Sequence, residues 1–243
     1  MGSFGNLSPN PTLDPVRLSA EFAGARRIRI ADFLPAASAA SLLSHLTEAH
    51  DWQHVIKGGE RVFETPSEQL AAMAEAERRA LDAAIFREAA HGFRFRYDTI
   101  RVPDGAEERR RAATPLAGFA QFMSSPQMLG FFRALTGNPE IRFVDAQATR
   151  YRAGDFLTRH DDLVGGKHRS HAFVLGLTRG WRPEWGGLLL FNDASGGVAQ
   201  AMTPAFNTLD LFAIGQPHSV SYVAPYAEGS RISITGWLRT ELP

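Results

Sequence analysis

IRFVDAQATRY (141–151), FLTRH (156–160), HAFVLGL (171–177), GGLLLF (186–191), AQAMTP (199–204), TLDLFAI (208–214), HSVSYV (218–223) and SRISITGW (230–237) are eight short apolar or alternating runs separated by turn residues. Runs of this length and spacing read as strands of a β-sandwich or barrel, and they decide the fold class.

Upstream of Ile141 the texture differs. RRIRIADFLP (26–35) alternates around Ile28, Ile30 and Phe33 and reads as a strand stopped by Pro35. Residues 36–49 read as a helix with Leu42, Leu43 and Leu46 on one side and Ser38 as its cap. Residues 52–63 read as a hairpin turning at Gly58-Gly59. Residues 67–90 predict one helix whose stripe is Leu70, Met73, Leu81, Ile85 and Phe86, a segment expected to pack rather than react. FRFRYDTIRV (93–102) alternates as a strand, and PDGAEERRRAATP (103–115) reads as a long, polar, mobile loop. A last helical region spans 116–135, interrupted near Pro126 and ended by Thr136-Gly137-Asn138-Pro139. Helices first and strands afterwards favour α+β packing, mainly β, over βαβ winding. The expected organisation is one domain over 1–243: a loose arm over 1–25, helical and strand support over 26–140, and a β core over 141–243.

The bulk composition narrows the function by exclusion. Of the 243 residues, 26 are Lys or Arg and 26 are Asp or Glu, so no global field gathers nucleic acid or anionic lipid. Cysteine is absent, which removes disulfides, thiolate metal sites and cysteine nucleophiles, and leaves imidazole and carboxylate for any transition metal. No apolar run is long enough for a bilayer and the N-terminus lacks a leader pattern, so a cytoplasmic, non-membrane protein is expected.

His160-Asp161-Asp162 ends a predicted strand, and alternation puts His160 and Asp162 on one face. His218, which opens HSVSYV, is the best-placed third ligand. Two imidazoles and one carboxylate leave three positions open, the arrangement of non-haem Fe(II) oxygenases. A lone His-x-Asp triplet is common by chance, a lone His218 reads as a turn histidine, and His168 and His171 are rival ligands. Arg231 and Ser233 follow on one strand face, where a guanidinium and a hydroxyl can reach a single carboxylate. A buried Arg231 would need an anion.

YRAGDFLTRHDD (151–162), the Gly-Gly-x-x-Arg turn (165–169), AFVLGL, WRPEWGGLLLF (181–191), QPHSV and RISITGW (231–237) together resemble the prolyl 4-hydroxylase-like branch of the 2-oxoglutarate oxygenases. Within it they are similar to the protein prolyl hydroxylases that act on a ribosomal protein in eukaryotes. The likeness covers about the C-terminal 100 residues well and the N-terminal helices in outline. It implies a double-stranded β-helix, a jelly-roll or cupin-like core. It also implies Fe(II) on His160, Asp162 and His218, with 2-oxoglutarate as cosubstrate, its far carboxylate meeting Arg231 with help from Tyr151 and Ser233. Oxygen would be consumed, ascorbate is the expected reductant, and oxidative decarboxylation to succinate and CO2 would drive hydroxylation of a substrate C–H bond. Trp185-Gly186-Gly187 reads as a turn rather than a phosphate cradle, because no helix follows it.

The expected partner is a protein or peptide, with ribosomal and translation-factor proteins as candidates, and no nucleic acid or membrane. The loop 103–115 sits where such enzymes fold a lid, and Arg159, Lys167 and Arg169 flank the metal strand. The ribosomal type carries a second C-terminal barrel that this sequence, running to Pro243, does not include. A small-molecule oxygenase and a non-catalytic cupin-like sensor are the rival readings; Arg231 speaks against the sensor, which has no need of a cosubstrate anchor.

Overall fold

The computed structural model describes residues 7–243. The helices are α1 (Pro15–Ala25), α2 (Ala36–Glu48), α3 (Ser67–Ala71), α4 (Glu75–Ala89), α5 (Ala106–Ala112), α6 (Pro115–Met123) and α7 (Pro126–Thr136). The strands are β1 (Arg27–Ile30), β2 (Gln53–Gly58), β3 (Arg61–Pro66), β4 (Phe95–Arg101), β5 (Phe143–Val144), β6 (Gln147–Tyr151), β7 (Phe156–His160), β8 (Arg169–Gly176), β9 (Leu189–Asn192), β10 (Val198–Met202), β11 (Thr208–Ala213), β12 (His218–Val220) and β13 (Arg231–Arg239).

All strand pairs are antiparallel, in the order β1-β11-β8-β13-β6-β4-β7-β12-β9-β10, with the β2–β3 hairpin added beside β4. β4 is the joint: Asp98–Arg101 pair with β6, whereas Phe95 and Arg96 pair with β7. The sheet therefore curls from one wall to the other, giving the half-barrel of a double-stranded β-helix. Period-two alternation sorts the larger wall. Ala148, Phe173, Leu175, Leu209, Leu211, Ile232 and Ile234 pack outward against helix residues such as Leu18, Leu42, Phe119 and Phe132. Their neighbours Thr149, Tyr151, Val174, Phe212, Arg231 and Thr235 point into the barrel. Helices thus buttress one sheet, and the opposite face is free to build a site.

Several local expectations need correction. Residues 15–25 are a helix, not part of a loose arm; residues 1–6 of that arm lie outside the described residues. Asp14 caps α1 by accepting from the amides of Val16 and Arg17, Pro15 supplies the first turn, and Leu18 and Phe22 are buried. Ser38 does not cap α2, which starts at Ala36 after Pro35 with no side-chain cap. The helix expected over 67–90 is two helices broken at 72–74, and of its stripe only Ile85 is buried.

The loop 103–115 contains α5, and it is tied down from inside. Arg109, 2% exposed, donates to the carbonyls of Pro103, Ala120 and Val144. A segment held by such buried bonds does not suit a mobile lid, and none of its residues lines the barrel cavity.

His171, a rival ligand, faces the helix layer instead of the barrel. Its ring lies 5.6 Å from that of Phe22, and burial, then the nearby Arg26 charge, pushes its pKa down to about 4. An unfolded histidine takes a proton near pH 6.5. Between these values the unfolded chain binds the extra proton, so this group's share of stability is present above about pH 6.5 and is lost as pH falls towards 4. Asp145 and Asp155, both raised to about 6 chiefly by burial, act in the opposite sense as pH rises from the ordinary carboxylate range. The group's effect is therefore expected in a difference: His171→Leu should lose less stability than wild type between about pH 7 and about pH 5 in urea unfolding, by an amount on the order of 1–3 kcal/mol. Equal losses in the two proteins would exclude it.

Candidate active site

His160 is the last residue of β7 and His218 the first of β12, and the two are direct cross-strand partners. Their ring centroids are 4.1 Å apart. Asp162 joins them by a different route from the expected alternation. β7 ends at His160, and Asp162 adopts φ 63°, a left-handed conformation that Asp and Asn tolerate best among residues with a side chain. That turn brings its carboxylate 3.6 Å from His160 Nε2 and 3.4 Å from His218 Nε2. One ligand atom from each of the three residues falls within 4.8 Å of the others.

The orientation of the rings fits metal binding. His160 Nδ1 donates to Thr158 O at 3.0 Å and His218 Nδ1 donates to Gln216 O at 2.8 Å, so both protons sit on Nδ1 and both Nε2 lone pairs face Asp162. Burial, then the neighbouring His218, pushes His160 down to about 4, which keeps its ring neutral and able to ligate. Burial alone would raise Asp162, but contact with His218 and His160 outweighs it and holds the carboxyl below its usual range. A dianionic or thiolate set would favour other metals; two neutral imidazoles and one carboxylate suit Fe(II) with open positions. His168 is exposed near Glu241, away from this cluster.

Behind the cluster the barrel encloses a cavity of about 690 Å³ that reaches both the ligands and Arg231. Arg231 is 4% exposed and has no carboxylate within 4.0 Å among the described residues. One of its amino groups, Nη1, donates to Gly187 O at 2.8 Å, and its guanidinium lies 5.1 Å from the Tyr151 ring centre. Gly186 makes this possible: at φ 72° it turns the chain where a Cβ would lie 2.0 Å from Tyr222 O. Tyr151 pairs directly with Arg231 across β6 and β13, and its ring is stacked on Tyr97. No protein group bonds its hydroxyl among the described residues, so Tyr151 is not a core tyrosine tied to backbone. Burial pushes that hydroxyl well above the ordinary tyrosine pKa, keeping it a neutral donor.

Ser233 differs from the expectation. Its hydroxyl is 2.9 Å from Thr149 Oγ1, and Thr149, not Ser233, lines the cavity. Of the basic residues flanking the metal strand, Arg159 and Arg169 line the cavity and Lys167 does not. Sequence reasoning missed Phe95 and Tyr97 as cavity residues, although the alternation of FRFRYDTIRV places them on one face with Thr99. It also missed Trp237 and Thr235, which continue the Arg231 face.

Residues 146–239 match the model of the 2OG-Fe(II) oxygenase superfamily, a stretch that contains all three candidate ligands, Tyr151 and Arg231. Over those residues the chain is similar to that superfamily, and the donor set they contain, two imidazoles and one carboxylate, suits Fe(II). Among solved structures it is similar to a prolyl-4-hydroxylase from Pseudomonas putida, at 21% identity and TM-score 0.53 over 93% of this chain and 98% of that one. It is also similar to a Trichoplax adhaerens prolyl hydroxylase in complex with a hypoxia inducible factor peptide, at 15% identity and TM-score 0.56 over 93% and 90%. A third likeness is to the non-heme alpha ketoglutarate dependent epimerase SnoN from nogalamycin biosynthesis, at 12% identity and TM-score 0.56 over 92% and 81%. No curated protein matches by sequence. No helix among the described residues is long and apolar enough to cross a membrane.

Proposed function

We propose that the protein hydroxylates a prolyl residue of a protein or peptide, with His160, Asp162 and His218 holding the iron. Arg231, with Tyr151 beside it, receives the far carboxylate of 2-oxoglutarate. When bound, Fe(II) and 2-oxoglutarate supply the O2-dependent oxidising power, yielding succinate and CO2, and ascorbate serves as reductant. The chain's own residues bind and orient: the two Nδ1 bonds fix the imidazoles, Gly187 O aims the guanidinium, and the aromatic wall of Phe95, Tyr97 and Tyr151 excludes water.

The observation that carries the cosubstrate assignment is Arg231, a buried cation with no acidic partner among the described residues, facing the cavity that holds the ligands. A peptide substrate is supported by the site's rim, where Leu163, Val164 and Phe93 expose apolar surface beside His160. The two similar prolyl hydroxylases add to it. The similarity to SnoN keeps a small-molecule substrate as the second reading.

The test is 2-oxoglutarate turnover measured with and without proline-containing peptides from ribosomal and translation-factor proteins, followed by mass spectrometry. Peptide-stimulated turnover and a gain of one oxygen on proline are expected. Turnover stimulated only by free small molecules would replace the first reading by the second.

A further inference from the structure

Among the described residues Arg231 has no carboxylate within 4.0 Å, although an aspartate lies in its neighbourhood. Asp210 points inward from β11, is 5% exposed, and lines one small void of about 10 Å³ together with Arg231, Arg29 and Gly176. Both of its oxygens are taken. On the neighbouring strand β1, directly opposite in register, Arg29 Nε donates to Asp210 Oδ1 at 2.7 Å and Arg29 Nη2 donates to Oδ2 at 2.8 Å. Arg29 Nη1 is fixed in turn on Thr203 O at 2.9 Å. The fork is bidentate, the geometry that holds a carboxylate most firmly.

The geometry points to Arg29 as a positioning residue that keeps the cosubstrate anchor available by clamping the carboxylate of Asp210 beside it. The inference rests on Arg231 as the 2-oxoglutarate site. Arg29 lines none of the 690 Å³ cavity and touches no candidate ligand. Its side chain is 32% exposed while that of Asp210 is 7% exposed, so the clamp reaches in from the surface to a buried acid. Without it, Asp210 becomes a buried, unpaired carboxylate lining the same small void as the buried Arg231 guanidinium. Opposite charges in such a site pair with each other. The pair then competes with the incoming carboxylate.

The experiment is anaerobic titration of 2-oxoglutarate into the Mn(II)-loaded protein by calorimetry, above neutral pH where a freed Asp210 is ionised. Arg29→Gln is expected to raise the Kd for 2-oxoglutarate about tenfold or more, the scale on which one competing charge pair acts, and to leave Mn(II) affinity unchanged. The double variant Arg29→Gln with Asp210→Asn removes the competitor and is expected to return the Kd to within about twofold of wild type. Arg29→Lys keeps the charge but loses the fork and falls between. An Arg29→Gln protein that binds 2-oxoglutarate as wild type does, or a double variant no better than the single one, overturns the clamp. Arg231→Met tests the underlying site separately: if it binds 2-oxoglutarate normally, the cosubstrate assignment itself is wrong, whatever Arg29 does.

Discussion

Asp162→Asn is expected to lower the affinity for Fe(II), or for Mn(II) as its redox-stable stand-in, by on the order of 100-fold or more while leaving the fold intact. The substitution isolates charge from shape. At φ 63° most side chains would strain the backbone, and Ala would confound loss of the ligand with loss of the turn; Asn shares the left-handed tolerance of Asp. What disappears is the single anion of the donor set. His160 and His218 remain in place, their rings still fixed by Thr158 O and Gln216 O. Two neutral imidazoles and an amide oxygen form a far weaker site for a divalent cation. Groups that only hydrogen-bond to metal ligands are typically worth about 10–100-fold in affinity, so a charged ligand itself should exceed that. Calorimetric Mn(II) titration with a thermal melt of the metal-free protein measures both parts. Retention of Mn(II) binding within about threefold of wild type would remove Asp162 from the metal site.

The clustering of His160, Asp162 and His218 was legible in the sequence, but the reason for one of its members was not. Alternation was expected to carry Asp162 to the His160 face, whereas the strand stops at His160 and a left-handed residue restores the direction. Residue spacing cannot tell these apart, because both bring positions two apart to one side. The barrel strands were read nearly whole, since each is short, apolar and bounded by turn residues. The helices were read less well where burial overrides pattern. Residues 15–25 had a cap at Asp14 and a Pro at the first position, signals outweighed by the Pro, Asn and Ser before them. The charged run 103–115 looked solvated, yet Arg109 turns inward and spends its donors on three carbonyls, a tertiary choice invisible along the chain. Ser233 shares the Arg231 face as alternation requires, but β6 brings Thr149 across from it and takes its hydroxyl.

Arg231→Met is expected to separate binding from stability. For binding, the loss is large: removing one member of a buried charge pair costs about 2–5 kcal/mol, which at about 1.4 kcal/mol per factor of ten is roughly 30- to 4,000-fold in the Kd for 2-oxoglutarate. For the ligand-free fold the balance differs. The guanidinium is desolvated with no acid in salt-bridge contact among the described residues, and burial lowers its pKa although the nearby Tyr151 and Asp210 oppose the shift. Its contacts are one bond to Gly187 O and the face of Tyr151, so Met leaves one carbonyl short of a partner and relieves one uncompensated charge. Replacing buried ionic groups by apolar ones of similar volume is often neutral or stabilising by about 1–4 kcal/mol. The lost bond offsets part of that, at about 1–3 kcal/mol. The melting temperature of the ligand-free variant is therefore expected to stay within about 4 °C of wild type, in either direction. With Mn(II) present throughout, wild type alone should then gain further thermal stability when 2-oxoglutarate is added, because only it binds the cosubstrate in its native state. A fall of more than about 10 °C in the ligand-free variant would show that Arg231 is part of the scaffold, and an equal gain on adding ligand would show that it is not the anchor.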